Sequence, residues 1–449
     1  MKRPVWILHV FVVGLALHNV AMAELWDAGV RGRSLDIVSA WKEALLALGL
    51  VLVLREHGWR IGRPRAIDWL AIAYGATVVV WALIPQHVLG GAATHRGIVL
   101  GVRHDGLPVA AWFFGRGLDL RERDLRRLGA TIIASASVVA AFGLVDIYAI
   151  PLSWWRSSGA PGWFSHQLGF GYQGLSGLPE NFVYNTGNEH PLRRLVSFFL
   201  SPLASSYMLV TALLVCVAWY RRLRPRLLVW VPVTLLLFSG LLWTHSRSSY
   251  LALTLGLLVF AAVDRRDWLP LVTGAAVVVV VGLLFVKAYP HIAPSTTFTA
   301  AELKIQRANA HKPGAGAAVN GLEDASTTSH LRNLRDGIRT VFHHPQGFGP
   351  GNAGSTAERT CVTCIKAGES TYTELGVYAG LVGGLVFAAW ALAVLVGLAR
   401  CRATWLTAAF AAMLALGLQT DIIGVPWLVY VLWPLAGWQL SRPEPGPVG

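Results

Sequence analysis

The chain is poor in lysine. Only six of its 38 basic residues are Lys and the rest are Arg, a bias that, beside so much Ala, Val and Gly, reads as genomic composition rather than function. Charge of any kind is sparse. Asp, Glu, Lys and Arg make up 14% of 449 residues, against 54% hydrophobic and a mean hydropathy of +0.52, which excludes one ordinary soluble domain. There is no Asp-x-Asp pair, so the acidic dyad that holds a metal in many nucleotide-sugar enzymes is missing. Cysteine is limited to four positions. Cys361 and Cys364, in Cys-Val-Thr-Cys, read as a small disulfide loop outside the membrane; a zinc site needs two more ligands, and a redox motif needs a βαβ context. Cys216 and Cys401 fall in apolar runs and read as packing.

What is present is a succession of apolar runs, at 4–23, 36–54, 66–85, 97–115, 128–150, 195–219, 227–243, 248–263, 268–287, 371–399, 404–420 and 424–440. Each approximates the roughly 20 residues that a bilayer crossing takes. The first ends in Ala21-Met22-Ala23, which resembles a signal-peptidase site, but it is long for a signal core and reads as a retained span. The expected fold is all-α, a polytopic membrane protein of about twelve transmembrane helices.

Arginine placement orients it. With the N-terminus cytoplasmic, the inner connections hold Arg55–Arg65, Arg116–Arg127, Arg221–Arg226, Arg265, Arg266, Arg400 and Arg402, while the short outer ones hold only Arg31, Arg33, Arg96 and Arg247. This is the positive-inside asymmetry. It absorbs much of the +14 net charge and removes the need for a nucleic-acid partner. The expected organisation is helices one to five over 1–150, an aromatic outer loop over 151–194, helices six to nine over 195–287, an outer active-site loop over 288–370, and helices ten to twelve with a cytoplasmic tail over 371–449. The first outer loop, rich in Trp, Tyr, Phe, Gly and Asn, suits either an interfacial belt or a sugar-stacking surface.

The second outer loop leads into the most informative stretch, Ser329 to Gly383. Leu331, Leu334, Ile338, Val341 and Phe342 recur at helical spacing over 327–342, beside Arg332, Arg335 and Arg339, so an amphipathic helix is expected to lie flat over the outer openings of the spans. It should end at His344-Pro345, with Gly347, Gly349 and Gly351 free to bend. Glu369 then stands at the entrance of the next span, as a general base or as a helix cap; Glu374 is a second acidic candidate.

Three more arginines sit at the outward ends of spans: Arg247 in a tight turn, Arg194 heading the sixth span, and Arg103 near Asp105 inside the fourth. An ionisable residue there is costly and points to function, although Arg103 also suits a pair with Asp105, and Arg194 snorkelling. Guanidinium groups grip a diphosphate with paired hydrogen bonds, and a nearby carboxylate takes a proton from an attacking hydroxyl. Together they describe glycosyl transfer from a lipid diphosphate.

The segments RLVSFFLSP, THSRSSYLAL, HLRNLRDGIRTVFHHPQGFGPGNAG and ESTYTELGVYAGLVGG resemble the O-antigen ligase and polysaccharide polymerase family of bacterial membrane proteins, over roughly residues 190–390. The resemblance implies an inverting, metal-independent glycosyltransferase without cofactors. Its donor would be a glycan on undecaprenyl diphosphate, its acceptor a glycan or glycolipid hydroxyl, and its place the outer face of the bacterial inner membrane. It assigns Arg247 and Arg194 to the donor diphosphate and leaves Arg332, Arg335 and Arg339 as candidate substitutes for a loop arginine of the family; Arg103 is a further substrate-binding candidate from its place in the fourth span, not from the resemblance. Where the ligases place a His, this chain has Glu369-Ser370, a polymerase-like trait; His330 replaces a loop arginine and is the next candidate base, and Tyr378 replaces an acidic residue. The reading from another class is a transporter of lipid-linked glycans; against it stand the lack of an internal repeat and of paired broken helices. A structural or lipid-binding membrane protein is the third.

Overall fold

The computed structural model describes residues 4–57, 64–170, 177–185, 189–223, 226–264, 268–310, 325–360, 365 and 367–442. Every apolar run is occupied by a helix. The first half holds α1 (Trp6–Asp27), α2 (Arg33–Ser39), α3 (Trp41–His57), α4 (Ala66–Leu83), α5 (Gln86–Leu89), α6 (His95–Arg116), α7 (Glu122–Ala149) and α8 (Leu152–Ser157). The second holds α9 (Pro202–Leu223), α10 (Leu227–Trp243), α11 (Arg247–Val263), α12 (Trp268–Ile292), α13 (Ala300–Ala310), α14 (Ala325–His343), α15 (Gly354–Thr360), α16 (Thr371–Arg400), α17 (Thr404–Leu416) and α18 (Pro426–Ser441).

Among the described residues, α1, α4, α7, α9, α12 and α16 are long and apolar enough to cross a membrane, and α2 with α3, bent by 44°, would form a seventh span. α10, α11 and α17 are apolar but only 17, 17 and 13 residues long, and at about 1.5 Å per residue they fall short of a hydrocarbon core of about 30 Å. The protein is a multi-pass helical membrane protein.

Two expected spans are corrected. The run 36–54 is broken at Ala40. The run 195–219 becomes helical only at Pro202, which opens α9 with the φ that proline fixes and no amide to leave unpaired. Before it, a 3-10 turn at Ser197–Phe199 and a positive φ at Leu200 fold the chain inward, and Ser197 donates to the Val139 carbonyl at 2.7 Å. Arg194 therefore precedes the helix it was expected to head.

Helix ends meet in two layers. One end joins basic residues to partners on neighbouring helices, as in Arg116–Asp68 at 3.0 Å, Arg221–Asp264 at 3.0 Å and Arg222–Glu122 at 2.7 Å. The other carries the long connections. There β1 (Val183–Tyr184) pairs antiparallel with β2 (Leu192–Arg193), which bridges to Ser295. Beneath β2, Arg193 pairs with the buried Asp146 at 3.1 Å. Between the ends, α6 and α18 touch through glycines: a Cβ on Gly115 would lie 2.0 Å from the Pro434 carbonyl oxygen, and one on Gly437 2.5 Å from that of Trp112.

The glycine-rich turn after α14 is fixed in place. α16 breaks at Ala379 and Gly380, where φ of Gly380 is +67°, and the turn fills the break. Phe348 N donates to Val377 O at 2.7 Å, Gly349 N to Tyr378 O at 2.9 Å, and Leu381 N to Pro345 O at 2.8 Å. Gly347 has φ +75° and would place a Cβ 2.3 Å from Gly380 N, so only glycine fits this approach.

Candidate active site

Arg194 is threaded into the turn between α10 and α11. Its Nε donates to Thr244 O at 2.9 Å, Nη1 to Asn181 O at 3.3 Å and Nη2 to His245 O at 3.4 Å. Among the described residues no carboxylate is paired with it. A half-buried guanidinium whose hydrogen bonds go to carbonyl dipoles keeps its positive charge unneutralised. Arg247 begins α11 from the same turn. Burial, reinforced by the charges of Arg194 and Arg247, pushes the His245 imidazole well below its usual range, so it contributes no positive charge at neutral pH. His245 itself has φ +49°, a left-handed turn that costs a non-glycine residue energy. Thus the two expected diphosphate arginines share one turn.

Arg103 is not with them. Its expected partner was Asp105, but Nε lies 3.0 Å from Glu43 on α3, with Nη2 also on that carboxylate. Asp105 is taken by His104, whose Nδ1 is 2.7 Å from Asp105 Oδ1 and whose Nε2 is 2.9 Å from Asp421 Oδ2. The carboxyl of Asp421 is lifted by burial but held below its usual range by the His104 charge and hydrogen bond and by the amides of Gly424 and Ile423.

The two candidate bases are brought together. His330 Nδ1 lies 2.7 Å from Glu369 Oε2, and Asn333 Nδ2 donates to Glu369 Oε1 at 3.2 Å. Burial raises the Glu369 carboxyl, yet the hydrogen bond and charge of His330 and the Asn333 bond outweigh it and hold the group below its usual range. The capping role expected of Glu369 belongs to Ser370 instead, which accepts from Tyr372 N at 3.3 Å. Glu374 points elsewhere, buried against Gly354.

α14 spans the expected stretch but buries only part of its apolar stripe. Val341 is 7% exposed, and Gly376 of α16 lies against it, whereas Leu331, Ile338 and Phe342 are 64%, 43% and 67% exposed. Arg332, Arg335 and Arg339 are exposed beside them, apart from the Arg194 turn. His344, past the helix end, meets Leu89 O at 2.7 Å and stacks on Phe348. Tyr378 bonds to Thr356 and Ala353. Cys361 and Cys364, expected as a disulfide, lie outside the described residues; Cys216 is buried in α9.

Sequence reasoning passed over Asn333, Glu43, His104 and Asp421. The last three carried a legible signal, being ionisable groups inside or beside apolar runs; Asn333 carried none.

Residues 232–388 match the family model described as O-antigen ligase. No curated protein matches the chain.

Proposed function

We propose that this chain, which matches the O-antigen ligase family over residues 232–388, is a membrane glycan-transfer enzyme of the ligase or polymerase type. The donor is a glycan on a polyprenyl diphosphate, undecaprenyl diphosphate in a bacterium, and the reaction takes place at the outer face of the inner membrane, with both termini cytoplasmic. Arg247 binds the diphosphate and Arg194 assists it from the shared turn, while Arg332, Arg335 and Arg339 on α14 draw the anionic headgroup toward it.

The observation that carries the reading is the contact between His330 and Glu369. A carboxylate held below its usual range is a weak base, whereas an imidazole changes protonation near neutrality. Glu369 orients the imidazole and stabilises it once charged, the division of labour of a carboxylate–histidine pair. The acceptor hydroxyl attacks the anomeric carbon and its proton passes to His330. The bond from that carbon to the diphosphate oxygen breaks with inversion, and the polyprenyl diphosphate leaves against the guanidinium groups.

The test is made in a host deleted for this chain and supplied with His330→Gln or Arg247→Ala. A transferase defect accumulates lipid-linked glycan on the outer leaflet, where an impermeant periodate probe reaches it. Accumulation on the inner leaflet would replace this reading with the transporter.

A further inference from the structure

Six ionisable side chains on three helices line one cavity, Arg96 of α6 among them. His18 of α1, Lys42 and Glu43 of α3, and Arg103 and His104 of α6 face a space of about 500 Å³. Lys42 and His18 are 5% and 9% exposed. Lys42 Nζ donates to Ser39 O at 2.8 Å and lies 3.8 Å from Glu43 Oε2. Ionisable groups among apolar helices are costly to bury, so their convergence is not explained by packing alone, and it defines a polar chamber rather than a lipid groove.

Its other wall is aromatic. Trp163, Phe164 and Phe170 from the segment after α8 line it, as does Trp427 at the start of α18. Arg359 lies 5.9 Å over the Phe170 ring with Nε on the Leu168 carbonyl. At the rim, Arg96 and Asp36 are 64% and 48% exposed. On α1 and α6 the lining extends from the end that carries the long connections only as far as Leu15 and Leu107. The chamber borders the Arg194 turn, and a chain of neighbours leads from His104 in its wall toward Glu369. Asn181, in its wall, accepts from Arg194. Asp421, behind His104, accepts from Ser355 at 3.3 Å and follows Thr420, whose carbonyl takes the Thr371 hydroxyl at 3.0 Å, next to Ser370 and Glu369.

Sugars present C–H faces that stack on rings and hydroxyl edges that planar charged groups grip in pairs; the volume lies within the roughly 300–1,000 Å³ of small-molecule sites. We propose that this chamber is a glycan subsite that holds a short oligosaccharide of the donor or of the acceptor during transfer. The inference rests on the glycan-transfer reading for its ligand class, but not on the assignment of base or arginines.

Photocrosslinking tests it in intact cells. p-Benzoylphenylalanine is placed at Leu100 in the cavity wall and, as a control, at Val277 on the exposed face of α12, and adducts are read by mass spectrometry. The expected adduct at Leu100 carries sugar mass increments, persists with Glu369→Gln, and is lost with Ser39→Trp, which fills the rim. A polyprenyl diphosphate on the adduct identifies the donor, and its absence the acceptor. Phospholipid alone, or no adduct from a folded, monodisperse protein, overturns the proposal. If transfer proceeds with phospholipid adducts only, the subsite falls alone; if glycan adducts form and the periodate assay finds inner-leaflet accumulation, the transferase reading falls and the subsite stands.

Discussion

His330 Nδ1 stands 2.7 Å from Glu369 Oε2, one residue on α14 and the other just ahead of the Ser370 cap of α16. With side chains 32% and 52% exposed, such a pair adds under about 1 kcal/mol to stability. Its value is positional, and stability and rate should part company when it is broken.

Glu369→Gln and His330→Gln are each expected to lower kcat by about 10²–10⁴-fold while donor binding and Tm change little. Measurement on protein in nanodiscs with extracted lipid-linked donor checks this. Near-normal turnover in His330→Gln would sink the assignment of the imidazole.

The pair has a pH signature. Because the Glu369 carboxyl is held below its usual range, whatever stability it contributes is present above that range and lost as pH falls through the lowered value. Unfolding curves of wild type and Glu369→Gln should therefore converge as pH falls below the ordinary carboxylate range. A gap that widens on acidification would contradict the sign.

Arg247→Ala should abolish transfer, and Arg247→Lys should restore it only in part, since an ammonium cannot reproduce the bidentate fork. Arg194→Ala should in addition destabilise the protein, by about 1–3 kcal/mol for each carbonyl of the 244–245 turn left without its donor. Thermal unfolding checks the Arg194 variant, and transfer assays check both.

Orientation is checked with single cysteines. Glu358→Cys on α15, at an exposed position, should react with an impermeant maleimide on intact spheroplasts, and Arg123→Cys at the opposite end should react only after lysis. Gly354 is unsuited to this, since a Cβ there would lie 2.3 Å from Glu374 Oε2. The reverse pattern would invert the topology.

The exposed apolar stripe of α14, Leu331, Ile338 and Phe342, flanked by arginines, should rest in the outer headgroup layer. A bimane probe at Phe342 should be quenched by brominated lipids, and Phe342→Asp should weaken donor capture. No quenching would place the stripe in water or against another protein.

Much of this was legible in the sequence because bilayer physics writes plainly: length and apolarity located the long apolar helices, though not the break at Ala40 or the start of α9, and 3.6-residue spacing located α14. Partners across the bundle were not. Nothing local says that Arg103 prefers Glu43 over Asp105 two residues away, since that choice depends on how α3 packs on α6. Nor does spacing reveal that Gly347 fits a break in α16, or that Ser370 rather than Glu369 caps it, a matter of one residue in a boundary. His330 and Glu369 were each singled out, but as rivals; only the docking of α14 against α16 makes them a unit.

The break in α16 bears on how the protein is made. Synthesis runs from N to C, so residues 345–349 emerge before the helix whose carbonyls at Val377 and Tyr378 receive their amides. Until 371–400 has inserted, that turn lacks its partners, and α16 in turn cannot satisfy its own interruption without it. The turn and α16 thus close on each other only after α16 has inserted, and a chain truncated before Thr371 should reach the membrane with residues 345–349 still open to proteolysis.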